Sequence, residues 1–353
     1  MTLASRLAAE IAAEGPITVA QFMLRCLHDP MEGYYATRPG LGEAGDFITA
    51  PLISQMFGEL IGLWLVEAWR RLGSPDHVVL AEAGPGDGTL MADVLRVVRL
   101  APEMKAACEL VLIETSRPLR QAQAKRLEAE TVKPRWIEGL DQLPAGPLLF
   151  VANEFLDCLP ARQFVRGERG WAERLVGSTD GKTLSFGLAA VSVGAAFPEA
   201  PVGSVLEISA PQAAVGSVLG AHLAEHGGYA LLIDYGRHEP GFGDTLQALK
   251  AHEKVDPLAS AGAADLTVHA DFPAVLAAAE AGGAQVDLMT QGEFLHVLGL
   301  ASRAAALSAE NPRHADQIAR QVARLTAPDQ MGDLFKVAAI WNAPPPPAFE
   351  EAP

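Results

Sequence analysis

Residues 78–90 read VVLAEAGPGDGTL, and this stretch decides how the rest of the chain is understood. Val78, Val79 and Leu80 are β-branched and aliphatic, the filling of a buried parallel strand. Glu82 interrupts the apolar run at the strand's end. Gly84, Gly86 and Gly88 then alternate through a tight turn, and Thr89 opens a helical pattern. Glycines accept positive φ and let a ligand lie directly against the backbone. A strand-to-helix turn so stripped of side chains marks the carboxyl edge of a doubly wound sheet, where such folds bind nucleotides. The dinucleotide spacing G-x-G-x-x-G is absent, which argues against an NAD-dependent dehydrogenase. Here the glycines read G-P-G-D-G, with an acid two residues before the first.

The chain has 353 residues, more than one minimal domain, and 49% hydrophobic residues can supply a large core. Its net charge of −16 argues against a nucleic-acid partner, since phosphate neutralisation needs clustered Lys and Arg. A basic protein or peptide partner is compatible with that sign. Cys26, Cys108 and Cys158 form neither a disulfide framework nor a zinc pattern. No apolar run reaches the roughly 20 residues needed to span a bilayer. Residues 1–15 lack a signal-peptide core. A soluble protein of the bacterial cytoplasm is the expectation. The sequence leaves the oligomeric state open, a homodimer included.

Outward from the glycine turn, the periodicities predict an α/β fold. Leu3, Leu7 and Ile11 form one helical stripe, and Thr18 caps a second helix with Val19, Phe22, Met23 and Leu27 facing inward. Residues 31–45 read as a loop and 52–72 as one long buried helix. Residues 110–113 make the second parallel strand, ending at Glu114, with Ser116 capping the next helix. Short strands follow at 135–137 and 147–152. Residues 159–228 break the βαβ rhythm and alternate like antiparallel strands, an inserted β-rich cap ending in a helix over 211–225. Residues 229–233 form the next strand, 237–271 a second long loop, and 334–340 the last strand. The domain reading is an N-terminal helical segment (1–75), a core (76–158 and 229–341), the cap (159–228) and a disordered tail (342–353).

Several runs together carry a family resemblance. They are Gly33-Tyr34-Tyr35, GDFITAP at 45–51, EAGPGDGTL at 82–90, NEFLDCLP at 153–160, DYG at 234–236, DLTVHADF at 265–272, TQGEFL at 290–295 and MGDLFKV at 331–337. The chain resembles the class I S-adenosylmethionine-dependent methyltransferases grouped with MidA and the mitochondrial complex I assembly-factor arginine methyltransferase. The resemblance runs from about residue 15 to residue 340. It implies a seven-stranded, Rossmann-like methyltransferase sheet with extra material over its carboxyl edge. The implied donor is S-adenosyl-L-methionine, leaving S-adenosyl-L-homocysteine. The implied acceptor is an arginine of a respiratory complex I subunit, dimethylated symmetrically in the characterised mitochondrial member. Many relatives carry an acid where this chain has Leu52.

Methyl transfer from a sulfonium is an in-line displacement that needs alignment rather than a metal. His252, Asp256, His269 and Asp271 fit no standard metal spacing. For the donor, Gly84, Gly86 and Gly88 allow close backbone approach beside Glu82. Glu114, at the second strand's tip, is placed to accept from ribose hydroxyls. Asp141 would flank the adenine, and Asn153 the methionine end. For the acceptor, a guanidinium stays protonated with a pKa above about 12, and carboxylates can fix its plane. Glu154 is the first catalytic candidate, with His269 as proton relay and Asp157 beside them. Asp46, Thr49, Gln55, Glu59, Asp265 and Asp271 are candidate substrate contacts. The rival readings are a small-molecule or lysine methyltransferase on the same fold, and a non-catalytic donor-binding assembly factor.

Overall fold

The computed structural model describes residues 2–37, 49–191 and 197–350. Helix α1 (Leu3–Glu14) starts at Thr2, whose side chain accepts from the Ser5 N–H, and buries Leu3, Leu7 and Ile11. Helix α2 (Val19–His28) opens on a reciprocal capping box between Thr18 and Gln21 and buries Val19, Phe22, Met23 and Leu27. The single helix expected over 52–72 is broken. Ala50–Ile53 makes one turn, Ser54 leaves helical geometry at φ −157°, and α3 (Gln55–Arg71) restarts from it. The Ser54 side chain accepts the Met56 N–H, a local bond that competes with helix continuation.

Seven strands carry the core: β1 (Val78–Ala83), β2 (Cys108–Ile113), β3 (Arg135–Ile137), β4 (Leu148–Asn153), β5 (Gly228–Arg237), β6 (Gln285–Thr290) and β7 (Phe335–Asn342). They lie in the order β6-β7-β5-β4-β1-β2-β3, with Ala270–Asp271 pairing off the end of β5. β7 pairs antiparallel with both β6 and β5, and the remaining neighbours in this order pair parallel. Period-2 alternation feeds both faces of β1. Val78 and Leu80 enter one apolar core with α3 and α4 (Thr89–Val98). Val79, Ala81 and Ala83 enter the other, with α6 (Ala210–His226) and α7 (Phe272–Ala281). Between them in the chain, α5 (Arg117–Arg126) starts at Ser116, whose hydroxyl caps the Leu119 N–H.

The cap differs from the expected 159–228 insertion. Strands Arg162–Gly167, Gly170–Gly177, Ser185–Ala190 and Val205–Ile208 form an antiparallel sheet that also takes in Ile17–Thr18. Residues 237–271, expected as loop, contain a second antiparallel sheet of Gln247–Lys250, Glu253–Val255 and Asp265–Thr267. A third core joins these pieces, packing Leu7, Phe22 and Met23 against Ala161, Val176, Ala248 and Leu266. The cap is therefore assembled from three separate stretches of chain. Helix α6, at the end of the insertion, returns the chain to the main sheet and packs on it through Val215, Leu219 and Leu223.

The expected disordered tail is also corrected as far as residue 350. Carbonyls of the proline run accept side-chain bonds: Pro344 from Tyr229 (2.7 Å), Pro345 from Arg71 (2.7 Å) and Pro347 from Trp64 (2.8 Å). Phe349 is buried beyond them. Proline lacks an N–H but keeps its carbonyl, so the run docks as an acceptor strip. Among the described residues no helix is long and apolar enough to cross a membrane.

Candidate active site

The chain leaves β1 for β2 on one side and has β4 on the other, so a crevice opens at the carboxyl end of β1. The turn above it is possible only because three residues accept left-handed backbone: Gly84, Gly86 and Gly88 sit at φ 63°, 55° and 86°. Asp87, between them, accepts from the Thr89 N–H and hydroxyl at 3.0 and 2.6 Å and so starts α4. A cavity of about 290 Å³ lies against this turn, close to the lower end for small-ligand pockets. Its wall includes Glu82, Gly84, Gly86, Glu114, Asn153 and Glu154, with Tyr35, Thr49 and Leu52 closing it from the amino-terminal segment.

On the β1–β2 side, burial, reinforced by Asp87, pushes the Glu82 carboxyl up to about 8. Burial also raises the Glu114 carboxyl, against the pull of the Ser116 N–H and Gln123 amide. Those two groups donate to Glu114 Oε1 at 2.7 Å and Oε2 at 3.2 Å, and each oxygen keeps a further lone pair. Two buried wall acceptors, Glu82 Oε2 and Asn153 Oδ1, have no hydrogen-bond partner among the described residues. Such orphans call for a donor-bearing ligand. An adenosyl amino acid, with ribose hydroxyls and an ammonium, fits them and fits the bare turn.

On the β4 side, Glu154 has φ +51°, a left-handed conformation that is strained for a side-chain-bearing residue. Its N–H is held by the Ile233 carbonyl at 2.8 Å. Its Oε1 accepts from the Ala50 N–H at 3.1 Å and Asn153 Nδ2 at 3.2 Å. Burial, then the Asp157 charge, pushes this carboxyl up to about 8. Behind it, Asp234 Oδ2 gathers the N–H groups of Phe155, Leu156 and Asp157 at 3.1, 2.8 and 3.2 Å. Burial raises both Asp157 and Asp234, and the Tyr235 hydroxyl bonds Asp157. Asp265, fully buried, accepts the Tyr35 hydroxyl at 3.0 Å, so it reaches the cavity through that ring.

Several sequence candidates fall elsewhere. Asp141 is exposed on the turn Leu140–Gln142, and it is Gly139 and Leu140 that line the cavity. His269 does not line it; its ring meets Tyr235 edge-on at 5.6 Å, behind Asp157, and burial lowers its pKa. Glu59 is taken up by Gln55 (2.6 Å) and Arg303 (2.9 Å), away from the cavity wall. Asp271 caps α7 by accepting the Ala274 N–H. Asp46 lies outside the described residues. Conversely, Asp234, Tyr35, Tyr235 and Gln123 carry no role that sequence alone reveals. DYG and GYY were visible as motifs, but the chain partners that give these residues work are far away in sequence.

The sequence model of the S-adenosyl-L-methionine-dependent methyltransferase family called Methyltransf_28 matches residues 60–290. The chain belongs to that family. The methyltransferase is 36% identical over 372 residues to the Drosophila melanogaster protein arginine methyltransferase NDUFAF7 homolog, mitochondrial, covering 96% of this chain and 85% of the relative. To the Homo sapiens protein arginine methyltransferase NDUFAF7, mitochondrial, it is 32% identical over 359 residues, covering 94% and 81%. A Burkholderia thailandensis COG1565 superfamily crystal structure bound to S-adenosyl-homocysteine superposes with a TM-score of 0.81. That pair shares 27% identity, over 99% of this chain and 93% of that one. The fold is thus the class I methyltransferase fold, the enzyme is an S-adenosyl-L-methionine-dependent methyltransferase, and S-adenosyl-L-methionine is its cofactor.

Proposed function

We propose that this methyltransferase modifies an arginine of a protein partner, a subunit of respiratory complex I, and assists that complex's assembly. What carries the reading is Glu154, a strained, proton-holding carboxyl on the same cavity wall as the glycine turn. The near-full-length relatives named as protein arginine methyltransferases support the acceptor.

S-adenosyl-L-methionine, when bound, supplies a methyl group on a positively charged sulfur. We assign its cradle to Gly84, Gly86 and Gly88, with Glu82, Glu114 and Asn153 as acceptors for its polar groups. Glu154 would face the acceptor. Its Oε1 is already engaged by Ala50 and Asn153, so Oε2 is the oxygen we assign to the guanidinium. A cation there lowers the carboxyl's pKa and turns it into the carboxylate that fixes the guanidinium plane. Asp157 and the Asp265–Tyr35 pair stand behind the wall. Thr49 and Leu52 exclude water at the mouth. We further propose the bacterial cytoplasm as the setting, consistent with three unpaired thiols.

Mass spectrometry of complex I subunits from cells with and without the protein tests this. A methylarginine present only when the protein is present is the expected outcome. An unchanged methylation pattern removes the substrate assignment. Gly86→Val separates the rival of a non-catalytic assembly factor, which would still support assembly without the donor.

A further inference from the structure

We propose that Gln123 is a positioning residue for the methyl donor, locking the glycine turn and the Glu114 carboxylate into one geometry. The inference rests on reading the cavity as the donor site with Glu114 as one of its polar contacts. Gln123 lies within α5 and has no exposed surface. Its Oε1 accepts the Trp136 indole N–H at 2.8 Å. An indole nitrogen only donates, so the orientation of the amide is fixed by chemistry. The amide nitrogen must then point the other way, and both of its hydrogens are used. They go to the Gly86 carbonyl at 2.8 Å and to Glu114 Oε2 at 3.2 Å.

One side chain thus ties the turn after β1, the tip of β2 and strand β3. The helix packs directly on the turn, since a Cβ on Gly88 would make ordinary contact with Gln123 Cα at 3.4 Å. Nearby on the same helix, Arg126 holds the turn a second time, its Nε donating to the Asp87 carbonyl at 3.0 Å and its guanidinium pairing with the Asp87 carboxylate. Gln123 does not line the cavity, whereas Gly86 and Glu114 do. It therefore acts through them.

The test compares two variants of the full chain. Gln123→Met keeps the bulk and removes both donors and the acceptor that holds the Trp136 indole. Gln123→Glu keeps the shape but sets a carboxylate against Glu114. The other charged groups around this corner are Arg120 and Arg126 on α5, Asp87 in the turn, Glu138 after β3 and Glu82 at the end of β1, whose own titration at about 8 is common to wild type and variant. Losing three bonds, one of them to a charged group, should raise KM for the donor about 10-fold or more in Q123M at every pH, with kcat within about twofold. In Q123E the rise should be largest near pH 8 and shrink toward about pH 5.5, where a protonated acid regains a donor.

A folded Q123M with wild-type donor KM, or a Q123E penalty flat with pH, overturns the proposal. Where neither variant folds, Trp136→Phe removes only the anchor. It should raise donor KM about threefold, and no change overturns the proposal equally. Calorimetry separates the two layers. S-adenosyl-L-homocysteine bound equally by wild type and Q123M sinks the role of Gln123 alone. No binding by the wild type sinks the donor reading itself.

Discussion

Glu114 and Glu154 stand at the tips of neighbouring halves of one sheet and line the same cavity. Glu114 is held on both oxygens, by a backbone N–H on one and the Gln123 amide on the other. Glu154 is anchored through Oε1 alone among the described residues, on a strained backbone, with the buried acids Asp157 and Asp234 behind it. One corner is finished before any ligand arrives. The other keeps buried carboxyl groups raised toward their protonated form, and a cation would displace the Glu154 proton. The difference teaches which corner should govern affinity for the donor and which should govern the reaction.

The strongest way to break that division is Glu154→Gln. Removing the carboxylate should cut kcat on the order of 100- to 1,000-fold while donor affinity stays near wild type, measured by methyl transfer to complex I subunits. Gly86→Val acts at the other corner. A β-branched residue at φ +55° strains the turn and fills the approach, so donor affinity should fall about 100-fold by calorimetry.

Titration sharpens the comparison further. Glu82 and Glu154 each rise from an ordinary 4.5 to about 8 on folding. Their contribution to stability is therefore full below pH 4.5 and is lost as pH rises through about 8. The melting temperature of the ligand-free protein should fall over that range, and Glu154→Gln should flatten the fall by roughly 3 °C or more. Binding of the sulfonium donor near pH 7 should release roughly one proton, and more than binding of its uncharged-sulfur product does, read from calorimetry in two buffers. The smallest effect is expected away from both corners. Trp64→Phe loses the bond to the Pro347 carbonyl and should cost about 1 kcal/mol of stability with methyl transfer unchanged.

The core was legible because its signals are local. The apolar run at 78–80, the alternating glycines and the Thr18 capping pattern each state their geometry within a few residues. The cap was not, because its order comes from pairing across distant stretches. Its hairpin at Lys250–Glu253 turns through Ala251 and His252 at φ +50° and +66°, positions where Gly or Asn is the readable sign. The tail read as disordered because only the partner residues Trp64, Arg71 and Tyr229 reveal what its carbonyls accept. At the site, residue type at a strand tip identified Glu114 and Glu154 as wall residues. Asp141 fell to solvent because one residue of rotation along its turn puts Gly139 and Leu140 on the cavity instead, and His269, read from a loop, packs on Tyr235 behind the wall.

Calorimetric titration of S-adenosyl-L-homocysteine into the wild type, Glu154→Gln and Gly86→Val decides whether the two corners divide donor binding from reaction. The account predicts binding to the wild type, near-equal binding to Glu154→Gln and little to Gly86→Val. No heat with folded wild type, or a loss in Glu154→Gln as large as in Gly86→Val, would contradict it.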